Sequence, residues 1–296
     1  MDTNNFFSFS RIAMVMKREI MENWKTNLYR LIGIYAAFAL VMILHMWTMS
    51  SGRSSQISFT TYCSNIMGTF VFIIGIASIA YAANIMENMI TKEKRIAFLM
   101  LPATMIEKFV ARFLIVTVGM AAAIIVAASL AEITRYLVLP LFNLPEAFHQ
   151  SVLYHLLSMA AIDGEQVFRG SGSALNMSYQ NWLGELCGWA FLVWAHSLFI
   201  LGGGYWYKKP FFKTLGTLML ISILCSVLSV HIISWVGNDG MRSFAEWLEA
   251  NFQWVTLNKL LSLGVAFFSA FTMFNWWLSY RLFTRSQVVK PKFRLL

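Results

Sequence analysis

Six apolar runs alternate with charged segments along the chain, at residues 31–48, 66–86, 113–131, 182–201, 215–236 and 260–280. Each is close to the roughly 20 residues that a helix needs to cross a hydrocarbon layer about 30 Å thick. The pattern predicts six transmembrane helices and an all-α integral membrane protein. Ahead of the first run, Phe9, Ile12, Ala13, Met16, Ile20 and Trp24 recur at three- and four-residue spacings, with Arg11, Arg18, Glu22 and Lys25 on the opposite face. That spacing predicts an amphipathic helix over residues 10–27, capped by Ser8 or Ser10 and lying along the membrane surface.

Between the second and third runs lies the elbow 87–112, ENMITKEKRIAFLMLPATMIEKFVAR. Lys92, Glu93, Lys94 and Arg95 keep its first part in water. Ile96, Phe98, Leu99, Met100 and Leu101 then form an apolar patch beside the membrane, which needs cover from headgroups, from the N-terminal helix or from a partner. Pro102 interrupts any helix continuing from the second span, and Thr104 followed by Glu107 matches the capping box that starts a new one. The elbow therefore reads as helix, break, helix, with Lys108 in the first turn of the second helix.

Composition places the whole chain in a bilayer: 58% of its 296 residues are hydrophobic, 12% are charged, and the mean hydropathy is +0.61. With the N-terminus inside, 18 of the 23 Lys and Arg fall on inner segments, and only Arg53, Arg135, Arg169, Arg242 and Lys259 fall outside. By the positive-inside rule both termini are cytoplasmic. The chain divides into the surface helix at 1–29, the transmembrane domain at 30–281 and a basic tail at 282–296. The net charge of +9 flanks membrane-crossing helices, where it meets anionic headgroups, and does not form the interleaved soluble face that nucleic-acid binding requires. No cleavage pattern follows a short apolar core, so no cleaved signal peptide is expected. Cys63, Cys187 and Cys225 imply no disulfide framework, although Cys63 and Cys187 both fall near outer helix ends.

The outer connection 134–181 is long and contains Pro140, Pro145 and a short helix expected at 146–161. His149 and His155 on that helix, with Asp163 and Glu165 beyond it, suggest metal ligands, but a spacing of six puts the two histidines on different faces. A second outer helix is expected at 243–252, with Trp247 and Trp254 at the interface. The ionisable residues within or near spans are His45, Glu132, Glu185, His196 and His231, and such groups are functional candidates because lipid burial is costly. His45, Glu132 and Glu185 lie near span ends and can reach water. Glu132 can pair with Arg135 three residues on, and only His196 and His231 lie deeper. Gly184 and Gly188 form a small-residue spacing suited to close helix packing.

Enzyme chemistry is missing from the pattern. The chain has no GxxxxGK followed by Ser or Thr, no HExxH, no GxSxG and no CxxC pair, and the run Gly202, Gly203, Gly204 ends the fourth span. The chain is read as neither an enzyme nor a cofactor or metal protein.

Six spans, an N-terminal surface helix and this elbow give a chain that resembles the permease subunits of ABC-2-type transporters. The motif correspondence runs through Lys92 to Arg95, Phe98 to Pro102, Thr104, Glu107 and Lys108; Ile96 and Ala97 stand where the family carries a Gly-Thr pair. The resemblance implies that Lys92, Glu93, Lys94, Arg95, Phe98, Leu101, Pro102, Thr104, Glu107 and Lys108 couple to a separate ATP-binding subunit. It further implies that ATP and Mg2+ sit on that partner, that a second permease chain completes the pathway, and that transport runs outward across a bacterial inner membrane. Two other classes stand beside it: a non-transporting scaffold or accessory subunit, and a proton-coupled secondary transporter using His196 or His231.

Overall fold

The structure is a computed structural model that describes residues 7–51, 58–160, 165–169, 176–206, 208–251 and 256–285. Its helices are α1 (Phe9–Glu22), α2 (Trp24–Ser50), α3 (Phe59–Ala83), α4 (Lys92–Leu99), α5 (Met105–Leu114), α6 (Met120–Val138), α7 (Val152–Ala160), α8 (Asn181–Tyr205), α9 (Pro210–Asn251) and α10 (Leu257–Thr284). Six helical stretches are long and apolar enough to cross a membrane: Trp24–Ser50, Phe59–Met89, Met105–Leu141, Trp182–Tyr205, Pro210–Gly237 and Leu257–Thr284. Each predicted run lies within one of them or overlaps it, and the chain is a multi-pass membrane protein.

The chain forms two compact units, the described residues of Met1–Ile162 with Tyr280–Leu296, and those of Asp163–Ser279. The first is built on α2, α3 and α6. Along α2, Ile34, Phe38, Met42, Met46 and Met49 recur every three or four residues and form one buried stripe. They meet Tyr62, Cys63, Ile66 and Phe70 of α3, while Met120, Ala127, Ala128 and Ala131 line the facing side of α6. The alanines let α6 approach closely, which is how membrane helices gain contact where lipid offers no hydrophobic driving force. Polar cross-links fix the register: the Tyr62 hydroxyl donates to the Met42 carbonyl at 3.2 Å, and Tyr35 and Thr134 share a hydrogen bond of 2.8 Å.

The third span is longer than its apolar run because α5 continues into α6 through a π-helical turn at Ile115–Gly119. At the far end of α6 the expected Glu132–Arg135 pair forms, at 3.7 Å, but it does not reach water: Arg135 is fully buried and Glu132 nearly so. Arg135 donates to the carbonyls of Phe148 at 2.7 Å and Gln150 at 2.8 Å, and Glu132 accepts from the Val152 amide at 2.7 Å. These bonds hold Gln150 extended, so the single helix expected over 146–161 is instead a 3-10 turn, Glu146–His149, followed by α7. The helix expected at the N-terminus also ends early, at Glu22, where Asn23 leaves helical geometry and turns its side-chain amide back onto the Glu19 carbonyl at 3.2 Å.

In the second unit, the strands β1 (Glu165–Arg169) and β2 (Asn176–Gln180) pair antiparallel with Val167 opposite Ser178. This hairpin is the exception to the all-α expectation. The glycine run at the end of α8 packs helices together and does more than end a span. A Cβ at Gly202 would lie 2.6 Å from Cγ2 and 2.8 Å from Cβ of Thr214 on α9, and one at Gly204 would lie 3.1 Å from the Ser279 hydroxyl on α10. Nearby, Asn275 donates to the Ser197 hydroxyl at 2.9 Å within the same buried seam. Gly202→Ala is therefore expected to destabilise by about 1–3 kcal/mol through overpacking. Gly188→Ala, whose new Cβ meets nothing within 4 Å, is expected to unfold at the wild-type midpoint. Thermal unfolding of both variants in detergent checks the contrast.

α9 is broken at Gly237, whose φ of 72° lies in the left-handed region that glycine tolerates, and it resumes beyond as far as Asn251, taking in most of the outer helix expected at 243–252. Trp254, Phe252, Asp163 and the tail from 286 onward lie outside the described residues.

Candidate partner-docking elbow

The elbow has the predicted order of helix, break and helix. After α3, a 3-10 turn at Asn84–Met89 carries Met86 out of helical geometry, and Thr91 then caps α4 by accepting from the Lys94 amide at 3.3 Å. The chain breaks around Pro102, and the capping box closes at Thr104: its hydroxyl accepts from the Glu107 amide at 3.3 Å, while Glu107 accepts from the Thr104 amide at 2.8 Å. The Lys108 ammonium donates to the Leu99 carbonyl at 2.7 Å, satisfying one of the acceptors left open at the end of α4 and tying the two elbow helices together.

The N-terminal helix clamps this elbow. Arg11 donates through Nη2 to Glu107 at 2.8 Å and through Nε to both of its oxygens, and the Ser8 amide adds a bond of 2.8 Å to the same carboxylate. The bond to Glu107 holds the Arg11 guanidinium above its ordinary pKa. Eight residues further along α1, Glu19 accepts from Arg112 Nη1 at 2.8 Å and from Asn88. Arg112 also donates through Nε to the Ile85 carbonyl and through Nη2 to the Asn84 carbonyl, each at 2.8 Å. A third pair, Arg30 with Glu87 at 3.1 Å, joins the start of α2 to the 3-10 turn. The charge order is cation then anion along α1, and anion then cation along α5. Only one relative direction and register of the two helices satisfies both pairs.

The side of α1 that docks carries Ile12, Val15 and Glu19. Phe9, Ala13, Ile20 and Trp24 of the expected apolar face remain exposed, so only Ile12 of that stripe is fully used against the protein. The difference arises because Arg11 and Glu19 find charged partners on α5, which sequence spacing along α1 alone does not disclose.

This clamp sorts the ten predicted coupling residues. Arg95, Phe98, Glu107 and Lys108 are buried, Leu101 and Thr104 are half-buried, and Lys92, Glu93, Lys94 and Pro102 are exposed. Arg95 donates to the Met89 carbonyl at 2.8 Å, and Phe98 lies 6.2 Å from Phe283. These four belong to the elbow's framework and not to its outer surface. The outer surface gains Ile96, Ile106 and Met100, of which Met100 is 80% exposed. Arg11, Glu19, Arg30, Glu87 and Arg112 were not among the predicted site residues. The signal for two of these pairs was present in the opposite order of charges on α1 and α5.

The other candidates are dispersed. His45 is half-buried on α2; Glu185 and His196 are half-buried on α8; and His231 is exposed on α9. Among the described residues no three His, Cys, Asp or Glu side chains gather as a metal site, and all three cysteines are free thiols. The arrangement offers shape and stiffness at the elbow.

The fold and the elbow together define a multi-pass helical membrane protein with a clamped connection between its second and third spans. Compared with known proteins, the chain matches no family model, no curated protein and no solved structure.

Proposed function

We propose that the chain is the membrane-spanning permease subunit of an ATP-driven exporter of the ABC-2 kind, coupled through the elbow to a separate ATP-binding subunit. The observation that carries the reading is the elbow's combination of a stiff base and an exposed crest. Ion pairs and backbone hydrogen bonds lock α4 and α5 to α1 and to the adjoining span, while Lys92, Lys94, Ile96 and Met100 project from that base. A partner pushing on such a crest displaces the helices behind it and not a loose loop. ATP and Mg2+ belong to the partner, and a second permease chain completes the pathway. The positive-inside count of Lys and Arg supports cytoplasmic termini, and the reading sets the protein in a bacterial inner membrane.

Phe98 is unsuitable for testing this, because its replacement by Asp would bury a charge within the framework. Ile96→Asp with Met100→Asp alters only the crest. The purified wild type is expected to bring a stoichiometric P-loop ATPase with it. The double variant is expected to insert normally, to unfold at the wild-type midpoint, and to lose association about tenfold or more. If the wild type emerges with membrane partners but without ATP turnover, the scaffold reading replaces this one. The dispersed placement of His231 and His196 gives the proton-coupled reading no support.

A further inference from the structure

A groove of about 370 Å3 runs between α2 and α3, within the size range of small-molecule sites. It exists because small residues meet there: Gly33 and Ala37 on α2, Ala77 and Ala80 on α3. Its rim includes Phe72, 65% exposed, and one end is polar, formed by Arg30, Tyr81 and Asn84. From Phe72 to Asn84, α3 rises about 18 Å, close to the depth of one leaflet in a hydrocarbon core of about 30 Å.

The polar end falls where the membrane boundary must lie. Arg30 immediately precedes the apolar run of α2, and Asn84 follows the helical part of α3. The Arg30 guanidinium sits 4.7 Å from the Tyr81 ring and commits one donor to Glu87, at 3.1 Å, out of the five N–H groups that an arginine carries. An apolar slot one leaflet deep, opening to the bilayer and ending at a cation with unused donors, has the chemistry of a phospholipid: acyl chain in the slot, phosphate at the guanidinium.

We infer that the α2–α3 groove holds one acyl chain of an anionic bilayer phospholipid, with its phosphate bound by Arg30. The site is separate from the elbow's exposed crest and does not depend on an ATPase partner.

The test uses the full chain in nanodiscs of phosphatidylglycerol, with a trace of the same lipid carrying a photoactivatable group midway along one acyl chain. Labelling is mapped by mass spectrometry. Residues 33–37 and 72–80 are expected to be labelled about tenfold more per residue than 215–236 of α9, an apolar stretch with no buried residue that serves as the internal standard for unspecific lipid contact. Gly33→Leu fills the slot without disturbing the fold, since a Cβ there meets nothing within 4 Å. It is expected to abolish the excess while leaving the unfolding midpoint unchanged. Arg30→Gln is expected to reduce the excess about tenfold, with Arg30→Lys retaining most of it. Groove labelling equal to that of α9, or labelling unmoved by Gly33→Leu, overturns the proposal. So does a change of oligomeric state in Gly33→Leu with lipid labelling unaltered, which would make the groove a packing surface between copies of the chain.

Discussion

Arg112→Ala is expected to destabilise the first unit by about 3–5 kcal/mol, the range found when one partner of a buried ion pair is removed. The side chain is 7% exposed and its Glu19 partner 4%, so neither charge has water as a substitute. All three guanidinium nitrogens are engaged: one holds α1 through Glu19, and two hold the carbonyls of Asn84 and Ile85, where the chain leaves helical geometry after α3. The substitution strips acceptors on two elements at once and leaves the Glu19 carboxylate buried beside Asn88. Lysine cannot repair this, because an ammonium is a single point of charge and the site uses the width of the guanidinium fork. Arg112→Lys is expected to recover less than half the loss. Removing both charges, as in Glu19→Gln with Arg112→Met, is expected to cost less than the sum of the single changes. Denaturant unfolding in detergent reads these three variants and the two single changes, and a wild-type midpoint for Arg112→Ala would show that the clamp does not hold the elbow.

The second large effect is expected at the other end of the third span, on α6. Arg135 is fully buried and carries the carbonyls of Phe148 and Gln150, while Glu132 carries the Val152 amide. Arg135→Ala leaves two carbonyls without their donor and the buried Glu132 carboxylate without its counter-charge, again a loss of about 3–5 kcal/mol. Here the damage has a local signature. Protection of the Val152 amide against hydrogen exchange should collapse together with that of α7, while amides of α4 and α5 stay protected. Glu132→Gln keeps an oxygen for the Val152 amide and is expected to leave α7 in place. Uniform loss of protection across the first unit would mean that this cluster supports the whole core and does not specifically pin the turn.

What could be read from the chain follows from how local each feature is. The six spans and the capping box at Thr104 and Glu107 need only neighbouring residues: a run of apolar side chains about 20 long, or a hydroxyl three positions before a carboxylate. The burial of Phe98 is not of that kind. A phenylalanine on a short helix beside charged residues resembles an exposed anchor until Phe283, far along the chain, comes to rest 6.2 Å away. Arg95 and Lys108 are both expected to face a partner, yet each donates to a backbone carbonyl left open where a helical segment ends. Glu132 and Arg135 had the correct spacing to pair, but their burial depends on the turn that folds over them. The hairpin was illegible because each strand has five residues and their pairing is set across a polar segment. For the elbow, the sequence located the element, whereas its outward surface became visible only once the charges had been matched to their partners.

The π-helical turn at Ile115–Gly119 gives the third span a property that a regular helix of the same length would lack. A turn of this kind takes up one residue more than an α-turn and so shifts the phase of everything beyond it by about 100°. The face of α5 that presents Glu107 and Arg112 to α1 and the face of α6 that presents alanines to α2 are thereby set independently, although both belong to one continuous stretch of chain. Two patterns with incompatible angular demands can share a single span, and the wide turn is the joint that reconciles them.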